Sequence, residues 1–77
     1  MAIITNATEA WAGPVVLAGD EIWQARSGSI FVTTTGSPAT DDGILLVQGA
    51  AVQLSAGLSV RYRTKGPVSA VIVREAV

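Results

Sequence analysis

Eight glycines divide this chain into short segments. They stand at positions 13, 19, 28, 36, 43, 49, 57 and 66, so consecutive ones lie 6 to 9 residues apart. Short apolar segments separated by turn residues at this spacing predict an all-β fold, a small sandwich or barrel. The stretch DGILLVQGAAVQLSAGLSVRYRT shows the pattern most plainly. It reads as three strands over residues 44–47, 51–54 and 58–64, with Gly49 and Gly57 in the turns between them. The last of the three alternates. Leu58, Val60 and Tyr62 point one way, and Ser59, Arg61, Arg63 and Lys65 the other. A period of two is the mark of a strand with one buried and one wet face. No helical period competes, because Gly13-Pro14 ends the one turn that residues 7–12 would allow.

The remaining segments complete a fold of six to eight short, mainly antiparallel strands in one domain spanning residues 1–77. Residues 2–5 read as a short strand or, within residues 1–10, an N-terminal arm. Asn6-Ala7-Thr8 matches a glycosylation sequon, which without a secretory signal is read as chance. Pro14 cannot donate to a ladder, so its strand begins there or lies on a sheet edge. Residues 21–26 and 29–34 flank the tight Ser27-Gly28 turn and are expected to pair as a hairpin. Residues 35–43, TGSPATDDG, form the one long loop. Lys65-Gly66-Pro67 is a turn, and residues 68–74 form the last strand. It is apolar on both faces over 70–73 and therefore expected in the middle of a sheet.

A chain of 77 residues buries only about 60–65% of its unfolded surface and commonly needs a staple. Disulfides and thiolate zinc are excluded because there is no cysteine. The absence of histidine removes the commonest metal ligand and the best general acid–base group near neutral pH. Oligomerisation is the staple that remains. Composition agrees: 49% of residues are hydrophobic and 14% charged, against about 25% charged in an average soluble domain. A net charge of −1 is no nucleic-acid-binding balance. No apolar run approaches the roughly 18–20 residues of a membrane span. The first basic residue is Arg26, so no secretory signal is expected.

Few residues could carry chemistry. Asp41-Asp42-Gly43 is an acidic loop cluster, but a hard cation takes six or more oxygens and the neighbours supply few, so a turn is the simpler reading. Asp20-Glu21 reads as a turn leading into a strand. Serine and threonine are plentiful, yet a nucleophile needs a base. No catalytic residue, metal site or cofactor is expected, and the chain is not read as an enzyme. Arg61, Arg63 and Lys65 form a basic row about 13 Å long at strand spacing. It suits an acidic partner or protects an edge strand. Trp11 and Trp23 are the large amphipathic anchors, at home in an interface or a core. These five are the candidate interface residues.

From Ile30 to Val73 the chain runs IFVTT, a Ser-Pro-Ala-Thr loop, DGILL, a glycine turn, VQL, AGLSVRYR, a glycine and a terminal apolar strand. That order resembles small virion accessory proteins of tailed bacteriophages, over about two thirds of the chain. The resemblance implies a compact all-β protein, often a homotrimer, that decorates or cements a capsid lattice. The implied location is the virion, and the implied partners are the major capsid protein or another virion protein. A glycan- or host-surface-binding module of a tail or baseplate is the alternative. Neither nucleic acid nor membrane is an expected partner.

Overall fold

The computed structural model describes residues 2–39 and 42–77. Among the described residues eight strands form: β1 (Ala2–Ile4), β2 (Ala12–Val16), β3 (Glu21–Ser27), β4 (Ile30–Thr33), β5 (Ile44–Leu46), β6 (Ala51–Leu54), β7 (Ser59–Thr64) and β8 (Val71–Ala76). They make two four-stranded sheets, ordered β1-β8-β3-β6 and β2-β7-β4-β5, with every pairing antiparallel. The all-β expectation therefore holds, as a sandwich at the upper end of the expected strand number.

The strand order has a simple origin. β1 pairs with β8, β2 with β7, β3 with β6 and β4 with β5, so the chain is one long hairpin whose tip is the β4–β5 loop. Wrapping that hairpin adds the β3·β8 and β4·β7 ladders, which close two sheets face to face. This is the strand order of a jelly roll.

Wrapping overturns one local expectation. The strands on either side of Ser27-Gly28 do not form a hairpin: β3 lies in the first sheet and β4 in the second. The turn is a corner. Gly28 has φ +73°, and a Cβ there would meet the Ser69 carbonyl oxygen at 2.8 Å. The Ser29 carbonyl already accepts the Lys65 N–H from the end of β7, 3.0 Å away. The ladder is also shifted between Ala25 and Ser27, which swings the chain out of the first sheet.

The inner faces carry the core. Trp23, Ala25, Leu54 and Ile72 come from the first sheet, and Ile30, Val32, Leu46, Val60 and Tyr62 from the second, all buried. Trp23 is the centre: fully buried, it meets Tyr62 of the facing sheet with ring centroids 6.0 Å apart and planes inclined at 58°. β8 is central between β1 and β3, as its two-sided apolar character requires, and β2 with Pro14 is an edge. Of the two readings of the N-terminus, the strand is correct: Ala2–Ile4 pairs with Ile72–Arg74 and is no free arm.

Candidate interaction surface

The second sheet turns Ser59, Arg61 and Arg63 outward on β7, as the alternation requires. Their environments differ sharply. Arg61 is half-buried, with Nη1 donating to the Thr35 carbonyl at 3.4 Å. Lys65 lies past the end of β7 and is exposed. Arg63 is only 8% exposed. Its guanidinium sits 4.3 Å from the Phe31 ring centroid and 5.3 Å from that of Trp11, and its Nη1 donates to the Thr64 carbonyl at 3.0 Å. Phe31 is its register partner on β4, so the stack is a cross-strand pair with Trp11 folded over it. The expected basic row is thus broken in the middle. Arg63 is a structural cation, weakly hydrated and planar enough to lie between rings, which a lysine is not.

Trp11 is fixed from its other end. Its indole N–H donates to the Ala39 carbonyl at 2.9 Å, which ties the β4–β5 loop to the outer face. Within that loop the Ala39 N–H donates to Asp42 Oδ2 at 2.8 Å and the Asp42 N–H returns to the Ala39 carbonyl at 3.1 Å. Asp42 is therefore engaged as a turn cap. Asp41, the other acid of that cluster, lies outside the described residues. Gly43 completes the arrangement with φ +101°: a Cβ there would meet the Val32 carbonyl oxygen at 2.7 Å and Trp11 Cη2 at 3.1 Å. Among the described residues no three metal-binding side chains come together.

Trp23 is corrected most firmly. With no exposure it presents nothing to a partner. Glu21, on the same face of β3, reaches back over the end of the core, where Trp23 Nε1 donates to Oε1 at 3.0 Å. Arg74 of β8 closes the unit, with Nε to Oε1 at 2.8 Å, Nη2 to Oε2 at 3.0 Å, and its guanidinium 5.2 Å from the Trp23 ring centroid. The Arg74 hydrogen bonds hold the Glu21 carboxyl below its ordinary pKa, against the opposing effect of burial. Asp20 caps a turn, with Oδ1 accepting the Ala56 N–H at 2.8 Å. Asn6 of the sequon accepts the Tyr62 hydroxyl at 3.3 Å.

What the outer surface offers instead is aliphatic. Ile3 and Ile22 stand on the outer face of the first sheet. Val16 lies on the β2 edge, Ile44, Leu45 and Val47 on and beside β5, and Val68 in the β7–β8 connection; each is at least 40% exposed. Sequence reasoning missed the group at β5, although the uncharged run from Gly43 to Val60 was its signal. Comparison with protein-family models, curated proteins and solved structures finds no match for this chain.

Proposed function

We propose that this protein is a structural virion component, a head decoration or cement protein whose copies cover apolar surface at joints in the capsid lattice. One observation carries this reading. Trp23 and Tyr62 are taken up by the core, and Trp11, Phe31 and Arg63 by their mutual stack on the second sheet, so the groups that would build a ligand site are engaged with one another while aliphatic side chains are left facing out around the molecule. Exposed apolar groups flanked by uncharged polar ones are what a protein–protein joint uses. A standard joint needs about 800 Å² per partner, roughly a fifth of the 4,215 Å² this small molecule exposes. The jelly-roll strand order agrees by analogy, since capsid proteins share it, although lectins do too.

The glycan-binding alternative needs an exposed aromatic face beside polar loop residues. Trp23 supplies none, and Trp11 has Arg63 on its ring. Nor does the N-terminal segment contribute an arm to the mechanism, because β1 is laddered into its own sheet. Quantitative mass spectrometry of purified particles tests the proposal. Copy numbers comparable to the major capsid protein are expected, and absence from particles would overturn it.

A further inference from the structure

The two edges of the second sheet are treated differently. β2 carries Pro14, which has no N–H, and its ladder with β7 is shifted between Ala12 and Val15. Both features blunt an edge against pairing with another strand. β5 at the opposite edge has neither. It carries no charge, and no charged residue occurs anywhere between Asp42 and Arg61. Ile44 is 54% exposed, Leu45 40% and Val47 54%. β6, the edge of the first sheet, lies on the same side of the sandwich: Ile44 of β5 and Leu54 of β6 line one cleft of about 250 Å³ between the sheets, with Val32 and Val60 at its back. One side of the molecule is therefore a short double edge that carries no charge, proline or bulge.

From this we infer that the β5/β6 side is a self-pairing surface whose occupant is a second copy of this chain. An antiparallel strand edge is complementary to itself under a two-fold rotation, because the donors and acceptors it exposes are met by the same groups in reverse order. Charge fits as well: the edge meets its own copy without like-charge repulsion, whereas a charged partner would find no counter-charge there. Centring the pair on Leu45 sets Ile44 opposite Leu46 of the second copy, on the inner face. The exposed isoleucine then joins a core continuous across the joint. The same axis brings the β6 edges toward each other and supplies a second strip of contact. The pair closes at two copies, whereas a three-fold ring would need a different, complementary edge, and β2 is blunted.

This inference concerns the free protein and stands apart from the virion reading. Sedimentation velocity on the full chain should give a species of twice 7.9 kDa. Leu45→Lys and Val47→Lys should each abolish the dimer while keeping the parent far-UV circular dichroism, and Val16→Lys on the opposite edge should leave it intact. Because the chain has no cysteine, single substitutions also report directly. Leu45→Cys should join two chains by a disulfide under mild oxidation, since only a residue near a two-fold axis meets its own copy, and Val16→Cys should not. The crosslink decides the matter if the lysine variants fail to fold. A monomer or a trimer in sedimentation, or crosslinking at position 16 in place of 45, would overturn the inference.

Discussion

Arg63 and Arg61 are two residues apart on one strand face, yet their energetic roles should differ several-fold. Arg63 lies between Phe31 and Trp11 and is nearly buried. Arg63→Ala removes a desolvated cation–π contact and the packing of the side-chain stem, and should cost about 2 kcal/mol in urea denaturation. Arg61→Ala and Lys65→Ala should each fall within about 0.5 kcal/mol. Arg63→Lys keeps the charge but not the planar stack, and should recover only part of the loss. Equal small effects at all three positions would restore the basic row as a surface feature. Glu21 makes a pH prediction with a definite sign. Its carboxyl pKa is lowered in the folded protein, chiefly by the Arg74 hydrogen bonds. The stabilisation is therefore present above the ordinary glutamate range and disappears as pH falls through the lowered folded value. At neutral pH, Glu21→Gln should cost about 1 kcal/mol, modest because the pair stands at the rim. The gap between variant and parent should narrow as the solution is acidified.

Among elements, the turns decide the fold more than the strands do. A glycine turn between two apolar segments suits a hairpin within one sheet or a corner between two, and the local chemistry of Ser27-Gly28-Ser29 does not distinguish them. The selection is made at a distance, by Ser69 and Ala70 against Gly28 and by Lys65 against Ser29. Gly28→Ala should cost about 1–3 kcal/mol, from its positive φ and the lack of room for a Cβ. Gly19→Ala, which meets nothing within 4 Å, should be close to neutral. Comparable losses at both sites in thermal or chemical denaturation would mean that Gly28 is not a constrained corner.

For the whole molecule the margin is thin. At about 0.05–0.15 kcal/mol per residue, a 77-residue chain has roughly 4–12 kcal/mol in hand. Trp23 lies in the core shared by both sheets and meets Tyr62 of the facing one, so Trp23→Ala opens a cavity between them and should cost about 3–5 kcal/mol. Circular dichroism at 25 °C should find that variant partly or wholly unfolded. A stably folded Trp23→Ala protein would mean that the core does not depend on this contact.

Much of the architecture is written locally. Glycine spacing set the strand number, and period-two alternation in residues 58–64 placed Val60 and Tyr62 inside. The two-sided apolar character of β8 put it mid-sheet, and Pro14 sent β2 to an edge. Such features depend on backbone preference and on the burial of one face, both of which act over a few residues. Tertiary structure alone decided which strand pairs with which, because β1·β8 and β2·β7 join the two ends of the chain. It also decided the fates of the candidate site residues. Alternation correctly placed Arg63 on the outer face, and only the folding of Trp11 across that face, held by Ala39, turned an outward arginine into a buried one. A side chain's face is a property of its strand; its exposure depends on what the rest of the chain lays over it.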